Sequence, residues 1–115
     1  MPKRKWDSLE AMTLEMAANM RRYEATGGKP WDARIALNDL AYQAGGLQKL
    51  IMQLNGERHP QGKSKKALLS DIEMELAEVV SISLFAAHEL GLDVKKGFQR
   101  MLDSDKKKIK ARRKH

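Results

Sequence analysis

Cysteine is absent from the 115 residues, which excludes a disulfide framework, a thiolate zinc centre and a catalytic thiol. Long apolar runs are lacking too: the longest, residues 79–87, is about half of what a membrane-spanning helix requires. The opening MPKRKWDSLE has no apolar core of the kind a signal peptide carries. No period-two alternation, internal repeat or low-complexity segment occurs, apart from a basic C-terminal stretch. A chain of this length buries roughly two thirds of its unfolded surface and supports one core, not two. These absences together imply a single all-α domain, residues 1–105, followed by a basic tail, residues 106–115. The expected setting is cytoplasmic, with no membrane partner.

Acidic residues are not scarce, and this decides how the net charge of +7 is read. Lys106, Lys107, Lys108, Lys110, Arg112, Arg113 and Lys114 account for seven of the 22 basic residues, leaving 15 against 15 acids elsewhere. The body is therefore neutral. The tail could hold phosphate backbones of a nucleic acid, although solvated, frayed ends of this composition are commoner.

Four helices follow from periodicity. Asp7 with Glu10 resembles a capping box, and Leu9, Met12, Met16, Met20 and Tyr23 recur every three or four residues until Gly27-Gly28. After Pro30-Trp31-Asp32, the stripe Ala33, Leu37, Leu40, Ala44, Leu47, Ile51 and Leu54 alternates steps of four and three and stops at Asn55-Gly56. Residues 57–66, with Pro60 and Gly62, read as a loop. A third helix is expected from about Ser64 to Leu90, with Leu69, Ile72, Leu76, Val79, Ala86 and Leu90 as its stripe and Gly91 as its stop. A fourth starts at Asp93 as N-cap, uses Val94, Phe98, Met101 and Ile109, and dissolves into the tail.

From Val79 to Ala87 only Ser81 and Ser83 interrupt apolar residues around the whole circumference of the third helix. Such a segment must be covered on every side. Self-association into a dimer or tetramer would supply the cover, completing the helical bundle; the alternative is that the first and fourth helices suffice.

Chemistry concentrates on the acidic half of the third helix. Asp71, Glu75 and Glu78 are four and three residues apart and project from one face. Gathered carboxylates repel one another unless solvent, a base or a cation compensates, and hard oxygen donors suit Mg²⁺ or Mn²⁺. A solvated polar face is the plain alternative. The glycine pair Gly45-Gly46, inside the best periodic stripe, costs about 1 kcal/mol per glycine relative to alanine. It suggests a closely crossing helix or room for a ligand.

Glu75-Leu-Ala-Glu78-Val, the apolar run after it, and Ala87-His-Glu-Leu-Gly-Leu-Asp-Val94 resemble the second half of the MazG-like nucleotide pyrophosphohydrolases, the all-α NTP pyrophosphatases. Upstream, Leu40-Ala-Tyr-Gln-Ala-Gly-Gly-Leu47 lies on a long helix where that family carries its first acidic motif, and Gly97-Phe98 after Asp93 resembles the start of its last helix. The resemblance spans about residues 31–108. It implies a MazG-like bundle of about four helices that binds a nucleoside triphosphate with Mg²⁺ or Mn²⁺ and releases a monophosphate and pyrophosphate. Family members carry E-x-x-E on one helix and E-x-x-D on the next. Glu75 and Glu78 match the second pair as metal ligands, with Glu in place of Asp at position 78.

The first pair is absent: Gln43 and Gly46 stand where two glutamates belong, and Tyr42 where a further acid is common. Met101 and Asp105 replace the Lys and Asn frequent in the last helix. Gln43 can offer a neutral carbonyl oxygen; Gly46 offers none. Asp39 and Asp71 each lie one turn away on their own helices, in opposite directions along an antiparallel hairpin, so at best one can join the cluster. The expected metal donors are thus Glu75, Glu78 and Asp71, and the expected nucleotide contacts Gln43, Gly46 and His88, the last where relatives have Asn. No catalytic base is assigned.

His59 and His115 belong to a loop and a terminus, so no histidine pair has metal-ligand spacing. Trp6 and Trp31 read as packing at helix starts, and Ser81 and Ser83 as helix-packing residues. Three functions follow: a weakened pyrophosphohydrolase, a catalytically inactive oligomeric member with a nucleotide-binding or regulatory role, and a nucleic-acid-associated protein using its tail.

Overall fold

The computed structural model describes residues 8–113, and these contain four helices and no strand. They are α1 (Leu9–Ala25), α2 (Ala33–Leu54), α3 (Lys65–Glu89) and α4 (Val94–Arg113). Each start is closed by a short polar side chain. Ser8 Oγ accepts from the Ala11 N–H at 3.1 Å, Asp32 Oδ1 from Ile35 at 2.9 Å, and Ser64 Oγ from Ala67 at 3.1 Å. Asp93 Oδ1 accepts from Lys95 at 3.0 Å and Lys96 at 3.3 Å. These bonds satisfy amide donors that the first turn of a helix otherwise leaves unpaired. Ser8, not the Asp7 expected from sequence, caps α1; Asp7, Trp6 and His115 lie outside the described residues. Gly27, Gly56 and Gly91 terminate α1, α2 and α3 with positive φ, a backbone conformation only glycine adopts without strain.

Helices α2 and α3 form an antiparallel hairpin, and α1 packs on the C-terminal half of α3. The core is Met20, Ala36, Ile82, Phe85 and Ala86, with Met16, Trp31 and Leu40 against it. Arg21 fastens α1 to the end of α3 through Glu89 at 2.8 Å and braces Glu24 on its own helix at 3.0 Å. The loop 55–64 is held by Gln53, whose buried Nε2 donates to the His59 carbonyl at 3.0 Å. Such a bond matters because a buried amide without a partner costs about 1–3 kcal/mol.

Residues Leu84–Ala87 are buried within the single chain, whereas Val80 and Ser83 on the same stretch of α3 are exposed. Two sequence expectations need correction. The stripe expected to face inward on α3 mixes two directions: Ile72 and Val79 are half-buried, whereas Leu69, Leu76 and Leu90 are exposed. The inward row instead runs Leu68, Ile72, Glu75, Val79, Ile82, Ala86, at steps of three and four. Finally, α4 does not dissolve after Asp105 but continues to Arg113, so residues 106–113 are helix. It has no buried residue, and Phe98, Met101, Leu102 and Ile109 are exposed. The radius of gyration is 17.8 Å, against about 13 Å for a compact chain of this length. No described helix is long and apolar enough to cross a membrane.

Candidate functional site

The hairpin brings one polar group from α2 against two from α3. Gln43 projects toward α3 between Glu75 and Glu78, and the position of its amide decides the electrostatics. With its NH₂ facing α3 it donates to Glu78 Oε2 at 3.2 Å and to Glu75 Oε1. With the amide turned the other way, NH₂ donates to Asp39 Oδ2 at 3.4 Å and the carbonyl oxygen faces both glutamates. An amide oxygen against two carboxylates is repulsive, so the first orientation is the one that physical chemistry selects in the absence of a cation.

Glu75 is the centre of the group. Its pKa is pushed up, first by removal from water on the half-buried face of α3, then by the charges of Glu78 and Asp39. The influence of Asp39 shows which of the two reserve acids reaches the cluster. Asp71 does not: Lys63 Nζ holds its carboxylate at 2.7 Å, one helical turn from Glu75. Asp71 could serve as the metal donor anticipated from sequence only by releasing Lys63.

Gly46 meets Glu75 as well. A Cβ placed on Gly46 would lie 3.4 Å from Glu75 Oε1, an ordinary contact, while one on Gly45 would meet nothing. The glycine pair therefore does not mark a tightly crossing backbone; Gly46 leaves one side of the Glu75 carboxylate open. His88 lies elsewhere. It is thirteen residues from Glu75 along α3, about 20 Å, and lines a cavity of about 780 Å³ with Thr13, Asp93 and Lys95. The structure thus unites Asp39, Gln43, Gly46, Glu75 and Glu78, and separates His88 and Asp71 from them.

Ser81 Oγ contacts Met16 Sδ of α1 at 2.7 Å, as a packing residue does, whereas Ser83 is exposed and donates to the Val79 carbonyl of its own helix at 2.8 Å. Trp31 sits half-buried at the start of α2 with its backbone N–H on Glu24 at 3.4 Å. His59 Nδ1 accepts from the Gln61 N–H at 2.9 Å inside the loop.

Among the described residues, no group of three or more His, Cys, Asp or Glu side chains is arranged to hold a metal ion. The donor set is two carboxylates, with Asp39 beside them and one amide that can present either end. Magnesium is ordinarily bound through one or two carboxylates plus substrate phosphates, not by an all-protein cage. Two carboxylates and an amide accordingly do not form an all-protein cage for a permanently bound ion. Sequence reasoning grouped Glu75 and Glu78 with Gln43 and chose Asp71 as the third acid; the structure instead puts Asp39 beside Gln43 and Asp71 on Lys63. Comparison with family models, with curated proteins and with solved structures returns no match.

Proposed function

We propose that this chain is a MazG-like helical protein that binds a nucleoside triphosphate with Mg²⁺ or Mn²⁺ at Glu75 and Glu78 and hydrolyses it weakly to a monophosphate and pyrophosphate. The observation that carries the reading is the register of the hairpin: residues 43 and 46 of α2 lie against residues 75 and 78 of α3. That is the pairing the resemblance implies for the two acidic motifs, although the first has lost its acids.

Each residue has a distinct part. Glu75 and Glu78 supply anionic oxygens. Gln43 releases its two hydrogen bonds and, turned over, presents its carbonyl oxygen in the direction its NH₂ had occupied. Asp39 adds negative charge from α2, and Gly46 keeps the flank of Glu75 clear for a phosphate or water. A bound cation would neutralise phosphate charge and lower the pKa of the attacking water. Attack at the α-phosphorus forms one P–O bond and breaks the bridge to the β-phosphate, so NTP and water give NMP and pyrophosphate.

One observation favours a second reading. The Gln43 amide can donate to both glutamates without a metal, an arrangement suited to a catalytically inactive member that persists as an oligomeric nucleotide-binding or regulatory protein. A pyrophosphate assay with a panel of ordinary and modified triphosphates and either cation separates the two. Release that disappears in Glu75→Gln supports hydrolysis; release no greater than that variant's removes it. Thermal shift with the same nucleotides then distinguishes silent binding from none. Nucleic-acid association through the basic end of α4 is a third reading, tested by deleting residues after Asp105 and measuring salt-dependent DNA or RNA retention.

A further inference from the structure

Helix α4 stands apart from the rest of the fold. The main helix packings are α2 on α3 and α1 on α3, and α4 has no buried residue. It is amphipathic all the same. At about 100° per residue, Val94, Phe98, Met101, Leu102 and Ile109 fall within an arc of about 100°. Phe98, Met101, Leu102 and Ile109 stand 51%, 47%, 43% and 54% exposed, so no described helix covers the stripe they form.

Charge sets α4 apart as clearly. Its 20 residues carry nine lysines and arginines against Asp103 and Asp105, a net charge of +7. The whole chain has the same net charge, so everything outside α4 is balanced. Lys95 and Lys106 border the apolar arc on one side and Lys108 on the other, and the rest of the circumference has no large apolar side chain. Two charges fall inside the arc: Arg112 in the last turn, and Asp105 between Met101 and Ile109. A long arginine can reach sideways out of an apolar layer, whereas a short aspartate cannot.

We propose that α4 lies in the plane of an anionic bilayer surface, with Phe98, Met101, Leu102 and Ile109 among the upper acyl chains and the lysines on the lipid headgroups. A flat surface is the occupant that the charge distribution selects. Basic residues take up most of the circumference, so a protein groove wrapping the helix would bury them, while a bilayer covers one side only. A nucleic acid would pair the lysines and leave four large apolar side chains in water. A second α4 is repelled by like charge. The expectation of no membrane partner rested on the lack of a spanning segment, and a helix lying in the interface needs none. One such short stripe binds reversibly, and the negative potential of anionic lipid supplies the remaining attraction. Nucleotide chemistry at Glu75 and Glu78 plays no part in it.

Co-sedimentation of the full chain with vesicles at physiological salt tests it. The chain should pellet with vesicles of phosphatidylcholine and phosphatidylserine, and not with phosphatidylcholine alone. Phe98→Ser combined with Leu102→Ser keeps the net charge of +7 and should lower partitioning about a hundredfold, with unchanged far-UV circular dichroism because neither side chain is buried. Asp105→Asn should raise partitioning about fivefold, the effect of one charge at such a surface. A double variant that pellets like the wild type reduces the contact to charge alone and overturns the proposal. So does a wild-type chain that stays in solution with both vesicles; retention of duplex DNA or RNA by wild type and double variant alike would then assign α4 to nucleic acid.

Discussion

Gln43→Glu puts the electrostatic account to a quantitative test. The substitution removes two hydrogen bonds to carboxylates, one of 3.2 Å to Glu78, and places a third carboxylate against a Glu75 whose proton affinity is already raised. Bonds to charged acceptors are worth about 1.5–3 kcal/mol when desolvated, and Glu78 is exposed, so the lower end applies. Repulsion between unit charges about 4 Å apart adds roughly 1 kcal/mol in a largely aqueous setting. Taking both lost bonds together at about 1.5 kcal/mol, the expected loss in EDTA is about 2.5 kcal/mol, or roughly 8–15 °C in Tm for a chain of this size. Divalent cations should reverse it, since a ligand at 100 times its Kd stabilises by about 2.7 kcal/mol. Calorimetric melting in EDTA and then in millimolar Mn²⁺ reads both numbers. A variant that melts with the wild type in EDTA would show that Gln43 does not bridge the glutamates. A drop that Mn²⁺ and Mg²⁺ leave unrepaired would show that added charge there attracts no cation.

Glu75 also predicts a pH dependence. Its folded pKa lies above the ordinary 4.5, so the native state keeps a proton that the unfolded chain gives up. Its contribution is therefore greatest below 4.5 and is lost as pH rises through the raised value; urea titrations across this range should slope downward in the wild type and flatten in Glu75→Gln. Gly45→Ala, in a helix interior with open space at its Cβ, should stabilise by about 0.5–1 kcal/mol in the same assay. Phe85→Ala empties a fully buried position and should cost about 3–5 kcal/mol, enough to leave the chain partly unfolded if its stability is near the usual minimum.

Helix number, caps and the polar loop were legible because each rests on local chemistry: Asp32, Ser64 and Asp93 as caps, and Gly27, Gly56 and Gly91 as stops. Which side of each helix faces inward was not. On α2 the regular row Leu37, Leu40, Ala44, Leu47, Ile51 contains two faces, Leu40 and Leu47 toward α3 and Leu37, Ala44 and Ile51 away from it. Periodicity marks apolar positions without naming the neighbour that covers them. The same limit explains Leu84–Ala87, whose cover within the monomer depends on how α1 docks, a long-range event. At the carboxylates, helical spacing placed Glu75 beside Glu78, but only tertiary geometry shows Lys63 capturing Asp71 while Asp39 remains with the cluster.

Whether the cluster captures a divalent cation together with nucleotide can be read directly from Mn²⁺ electron paramagnetic resonance. Titrating protein into Mn²⁺ and a triphosphate should reduce the six-line signal below the level set by nucleotide alone, with one ion immobilised per chain, and the doubly substituted Glu75→Gln, Glu78→Gln chain should restore it. An identical signal with and without the wild-type protein would contradict the account.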